Sequence, residues 1–143
     1  MSVPHVLVVE DDPSVRGLLQ TLLAAEGYDV AVASDGLAGL VKASSRRPEL
    51  ILLDLMMPDL GGIRVLEELR GDPALSDVPV IVVTGKVEAV PGLQQVLGEN
   101  SVFAKPFGVA ELLARVAEVT GGPPPRPEAD GAGAGSGGEG QPQ

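Results

Sequence analysis

The feature that most constrains this chain is a recurrence. Short, continuously apolar runs alternate with segments whose apolar residues fall at helical spacing. Val6-Leu7-Val8-Val9 is the first run and predicts a buried strand. Asp12-Pro13 follows, a capping carboxylate and then a proline at the first helical position. Val15, Leu18, Leu19, Leu22 and Leu23 then lie on one helical face, which Gly27 ends. Asp29 to Ala33 predicts a second strand, and Leu37, Leu40 and Val41 mark a helix that stops before Pro48. Leu50 to Leu53 is a third strand, apolar until Asp54. A loop with Pro58 and Gly61-Gly62 leads into a helix carrying Ile63, Leu66 and Leu69. Pro79 to Val83 predicts a fourth strand, followed by a helix at about 88–97 that Pro91 and Gly92 interrupt. Ser101 to Ala104 is a fifth strand, and Val109, Leu112, Leu113 and Val116 mark the last helix.

Five strand–helix alternations predict an α/β protein. Strands that are apolar throughout, rather than at every second residue, need cover on both faces, as in a parallel sheet. Right-handed crossovers then make the five-stranded sheet doubly wound. Ligands of such sheets sit at the carboxyl ends of the strands, where the strand order reverses.

Composition removes other classes. A length of 143 residues suits one domain, and 44% hydrophobic residues suffice for a core. With no cysteine there is no disulfide, thiolate metal site or Cys nucleophile. His5 is the only histidine, which excludes sites needing two or three. There is no Trp, and the aromatics are Tyr28, Phe103 and Phe107, too few for stacking on bases. A formal charge of −10 argues against nucleic acid and anionic membranes as partners. The N-terminal apolar run is too short for a signal peptide and lacks a basic flank, and no run approaches the ~18 residues of a membrane span. The expected location is the cytoplasm. From 121 to 143 there are eight Gly, five Pro and no apolar residue larger than Ala, a composition that predicts a disordered tail behind a domain at 1–120.

The strand ends carry the chemistry. The first ends in Glu10-Asp11-Asp12, the third in Asp54, the fourth in Thr84 before Gly85, the fifth in Lys105-Pro106. Carboxylates gathered on one rim repel, and a hard divalent cation such as Mg²⁺ relieves the repulsion while keeping positions for water and phosphate oxygens. A lysine and a threonine hydroxyl on the same rim suit a phosphoryl group. The set fits phosphoryl transfer to a carboxylate.

These residues lie in four segments, VLVVEDDP at 6–13, LLDLMMPDLGG at 52–62, VTG at 83–85 and KPF at 105–107. In this order and on these elements, the chain resembles the receiver domain of two-component response regulators over about 4–119, most like a stand-alone, chemotaxis-regulator-like receiver. The resemblance implies a flavodoxin-like (βα)5 fold. It also implies that Asp54 accepts a phosphoryl group from a sensor histidine kinase or phosphotransfer protein. Asp11 would be a direct Mg²⁺ ligand, Glu10 a ligand directly or through water, and the Met56 carbonyl the last protein ligand. Thr84 would bond the phosphoryl group and move toward it, and Lys105 would pair with one of its oxygens. A cis Lys105-Pro106 bond is expected. Output would pass through protein contacts to a downstream target.

Some positions depart from the pattern. Similar sequences often carry Tyr or Phe three residues before the strand-five lysine, where this chain has Val102. Phe103 is adjacent but points to the opposite face of the strand, into the core. Gly61 replaces a frequent acid. Asp12 reads as a helix cap, Met56 and Met57 as loop packing, His5 as a surface residue and Arg46-Arg47 as a solvated helix end. An alternative is a receiver fold used for docking without phosphorylation. An aspartyl phosphatase of the haloacid-dehalogenase type would need an acid where Met56 stands. A nucleotide or flavin site would need glycines where Glu10-Asp11-Asp12 stands.

Overall fold

The computed structural model describes residues 3–57, 61–98 and 101–122, and only the backbone of Val87. Its elements are β1 (His5–Val9), α1 (Pro13–Ala25), β2 (Asp29–Ala33), α2 (Gly36–Ser45), β3 (Leu50–Asp54), α3 (Gly62–Gly71), β4 (Val80–Thr84), a 3-10 turn (Val87–Ala89), α4 (Val90–Leu97), β5 (Val102–Ala104) and α5 (Val109–Thr120). The five strands form one parallel sheet in the order β2-β1-β3-β4-β5. The order reverses between β1 and β3. Their register pairs Val9 with Leu53, so Glu10 and Asp54 emerge side by side at that reversal. Thr84 pairs with Ala104, so Lys105 emerges one strand further on.

Strands β1, β3 and β4 are buried at every position, as continuous apolar runs require. Alternate residues feed two cores. Leu7, Val9, Ile51, Leu53, Val80, Val82 and Val102 face the side where Ala43 of α2, Val65 and Leu69 of α3 and Leu93 of α4 pack. Val6, Val8, Leu50, Leu52 and Ile81 face Leu19 and Leu23 of α1 and Leu112 and Val116 of α5.

The structure corrects several local expectations. His5 is not a surface residue. It opens β1, is 8% exposed, and its Nδ1 lies 3.1 Å from the Asp29 carbonyl oxygen. Strand boundaries shift by one residue at β1, β4 and β5, and β3 includes Asp54. Pro91 does not interrupt the fourth helix. It occupies the first turn of α4, where a missing N–H costs nothing, behind the 3-10 turn. Arg46 and Arg47 are exposed, as anticipated, and pair with Asp29 at 2.6 Å and Asp77 at 2.5 Å. Of the tail expected at 121–143, residues 123–143 lie outside the described residues, as do Pro58 and its neighbours at 59–60.

Helix α2 differs most. Of the three apolar residues that mark it, Leu40 packs against the core, while Leu37 and Val41 are 60% and 64% exposed. The buried positions are Gly36, Gly39 and Ala43. Small residues let α2 approach β1 closely, since a Cβ on Gly39 would stand 2.8 Å from Val9 Cγ2. Val9 is buried and branched, so it has little room to yield. Gly39→Ala should therefore destabilise the domain by about 1–3 kcal/mol through overpacking, despite about 1 kcal/mol of gained helix propensity. Gly17→Ala on α1, where a Cβ meets nothing within 4 Å, should be neutral or stabilising. Urea unfolding of both variants checks this, and a Gly39→Ala protein as stable as its parent would contradict it.

Candidate functional site

The loops leaving β1, β3, β4 and β5 meet at the carboxyl edge of the sheet. Glu10 is held there by its backbone, because its N–H extends the β1–β2 ladder to the Ala33 carbonyl at 3.0 Å. Its side chain is almost fully buried, with Oε1 2.9 Å from Lys105 Nζ and Oε2 accepting from the Asp12 N–H at 3.2 Å. Asp54 is 3% exposed. Its Oδ1 accepts from the Met56 N–H at 3.0 Å, and its Oδ2 lies 3.5 Å from Lys105 Nζ. Lys105 is aimed from β5, its own N–H donating to the Thr84 carbonyl at 2.8 Å. Its peptide bond to Pro106 is cis.

Two carboxylates thus share one ammonium, and a third, Asp11, lies beside them. One oxygen each of Glu10, Asp11 and Asp54 can be chosen so that all lie within 4.8 Å of one another. Burial lifts the Glu10 carboxyl from 4.5 to about 7; the hydrogen bond from Lys105 lowers it, and neighbouring Asp54 raises it. Burial pulls the Lys105 ammonium down, but Glu10 and then Asp54 outweigh it, so its pKa rises above 10.5. The site is short of positive charge. Oxygen ligands in this number and hardness fit Mg²⁺ better than a soft metal.

Thr84 is fully buried, and its Oγ1 accepts from the Lys86 N–H at 3.0 Å. That bond leaves the hydroxyl proton available to an acceptor at the rim. Asp12 stands apart as the cap of α1, its Oδ1 accepting from the Ser14 N–H at 2.8 Å and the Val15 N–H at 3.4 Å. Met56 is exposed, while Met57 is buried in the α2–α3–α4 core. Gly62 sits against the loop after Asp54. A Cβ there would collide with Leu55 Cα and stand 2.5 Å from the Asp54 carbonyl oxygen. Val102 and Phe103 face opposite cores, Phe103 only half-buried. Sequence reasoning missed Arg16, whose Nη1 donates to the Glu10 carbonyl at 3.0 Å and the Asp11 carbonyl at 3.3 Å. The one signal available was its sign, a cation in the first turn of a helix.

A family model described as the response regulator receiver domain matches residues 6–117. The chain belongs to this family. The receiver is 44% identical over 115 residues to the DNA-binding response regulator MtrA of Mycolicibacterium smegmatis, covering 78% of this chain and 48% of that protein. It therefore spans about half the length of the curated relatives it matches. Among solved structures, a putative response regulator from Chloroflexus aurantiacus superposes with a TM-score of 0.75 at 27% identity, covering 84% of this chain and 99% of that one. The chemotaxis protein CheY4 of Vibrio cholerae gives 0.74 at 27% identity, covering 82% and 99%. Both receivers share the doubly wound, flavodoxin-like sheet. No helix among the described residues of this receiver is long and apolar enough to cross a membrane.

The raised Glu10 carboxyl has a consequence for stability. A folded-state value above the unfolded one gives a contribution that is complete below about 4.5 and is lost as pH rises through about 7. In chelator-treated buffer, the parent should lose stability over that window relative to Glu10→Gln, which cannot titrate. Thermal unfolding of the two proteins across pH checks this, and parallel profiles would contradict it.

Proposed function

We propose that Asp54 accepts a phosphoryl group from the phosphohistidine of a sensor histidine kinase or phosphotransfer protein, in a Mg²⁺-dependent reaction. The observation that carries this reading is the Asp54 carboxylate, buried at the strand-order reversal and flanked by Lys105, Glu10 and Asp11. An Asp54 oxygen forms the new bond to phosphorus, and the bond from phosphorus to the imidazole nitrogen breaks, with the imidazole leaving. Mg²⁺, held by Glu10, Asp11, Asp54 and the Met56 carbonyl, would neutralise charge on the phosphoryl oxygens. Lys105 swings from the two carboxylates to one of those oxygens, a charge-assisted bond. Thr84 turns its hydroxyl toward another. The same groups would assist the later hydrolysis, so the domain takes part in its own phosphorylation and dephosphorylation.

Because Thr84 Oγ1 is bonded to the Lys86 N–H, its movement pulls the loop that leads into the 3-10 turn and α4. Val102 is buried beneath α4 and is branched at Cβ, so no ring can swing between solvent and interior there. The response would run mainly from β4 into α4. A net charge of −10 favours output through protein contacts over direct contact of this domain with nucleic acid. Operation as a single-domain cytoplasmic regulator is part of the same reading.

Acetyl phosphate with Mg²⁺ should add one phosphoryl group by intact-mass spectrometry, and Asp54→Ala should abolish it. Persistent labelling of Asp54→Ala would place the acceptor elsewhere. Lys105→Ala should still fold, since a carboxyl titrating near 7 can take up a proton in place of its lost partner, but its response to phosphorylation should fail.

Beryllofluoride, a mimic of the phosphoryl group, should shift amide resonances mainly from Thr84 to Leu97, with small changes at Val102. Large movement at Val102 or Phe103 with a quiet Thr84 loop would overturn this route. Bound mimic without any change would favour a docking domain that works independently of phosphorylation.

A further inference from the structure

Arg16 is a cation at the rim with no role in the chemistry above. It lies in the first turn of α1, its N–H making the helix's first bond to the Asp12 carbonyl at 2.8 Å. The helix dipole disfavours a positive charge there. Acids at 10, 11 and 12 lie close in sequence, yet among the described residues Arg16 pairs with no carboxylate. Its Nη1 is shared instead between two successive carbonyls, those of Glu10 and Asp11. This leaves the carboxylate oxygens available to a metal. Asp11 is the ligand that most needs such help. Glu10 and Asp54 are buried and hydrogen-bonded, whereas the half-buried Asp11 side chain has no hydrogen bond or ion pair among the described residues. What the structure holds at Asp11 is its backbone, through the bond that its carbonyl accepts from Arg16.

We propose that Arg16 is a positioning residue of the metal site, fixing the peptide planes on either side of Asp11 so that its carboxylate faces Glu10 and Asp54. The proposal rests on the Mg²⁺ reading of that site. A planar guanidinium suits the task because its N–H directions are rigid. Charge alone predicts the opposite effect of removing it. A positive group beside a cation site repels the cation, so its loss should tighten binding.

The two accounts therefore differ in sign. Mg²⁺ affinity would be measured by calorimetric titration on the parent, Arg16→Met, Arg16→Lys and Arg64→Met. Arg64 is an exposed residue on α3 that pairs with Glu68, so its replacement controls for net charge. Positioning predicts binding weaker by about tenfold in Arg16→Met, the loss typical when a group that orients a metal ligand is removed. Arg16→Lys should recover part of it, and Arg64→Met should match the parent. If Arg16→Met does not fold, Arg16→Lys decides, because it keeps the charge and any weakening is geometric. Arg16→Met, or in its place Arg16→Lys, binding as tightly as the parent or tighter would overturn the positioning role alone. A parent that takes up no Mg²⁺ would overturn the metal-site reading and this proposal together.

Discussion

The structure turns on one ammonium group between two buried carboxylates. Lys105 Nζ lies 2.9 Å from Glu10 and 3.5 Å from Asp54, at the point where the sheet reverses its strand order. Breaking a buried ion pair by removing one partner commonly costs about 3–5 kcal/mol. Here the loss is limited because Glu10, already lifted to about 7, can take a proton instead of remaining a bare charge. The site is therefore poised: one cation, three acids and a shortage of positive charge. An incoming phosphoryl group and a divalent cation complete each other in such a place, since each supplies the charge the other lacks. The adjacency that makes this possible is set far from the chemistry, by the parallel register of β1 with β3 and of β4 with β5.

Much of this was legible in the amino-acid order. Continuous apolar runs specify strands covered on both faces, and the residue ending each run is then placed on one rim by topology. Glu10, Asp11, Asp54, Thr84 and Lys105 could be gathered in this way because each follows or ends a strand whose limits vary by only a residue. The family match over 6–117 agrees with that order of segments.

What was not legible depends on close packing or on backbone contacts. Of the three apolar residues that mark α2, Leu40 packs against the core, but Leu37 and Val41 face outward. The true contact is made by Gly36, Gly39 and Ala43, where absence of side chain allows the approach to β1. His5 looked like a surface residue, but β2 on one side and Glu49 on the other bury it. Pro91 looked like a break because the start of α4 was placed too early. Beyond its sign, nothing marked Arg16, because its partners are carbonyl oxygens, which every residue has. Side-chain patterns cannot announce a bond to a group that does not vary.

The account's central claim is that Lys105 exchanges its two carboxylate partners for a phosphoryl oxygen while Thr84, its Oγ1 still accepting from the Lys86 amide, donates its hydroxyl proton to another. A crystal structure of the chain with Mg²⁺ and beryllofluoride tests this most directly. The account predicts beryllium bonded to an Asp54 oxygen, Lys105 Nζ within hydrogen-bond distance of one fluorine and Thr84 Oγ1 within hydrogen-bond distance of another. Beryllium on a different acid, or on Asp54 with Lys105 still turned toward Glu10 and away from fluorine, would contradict it.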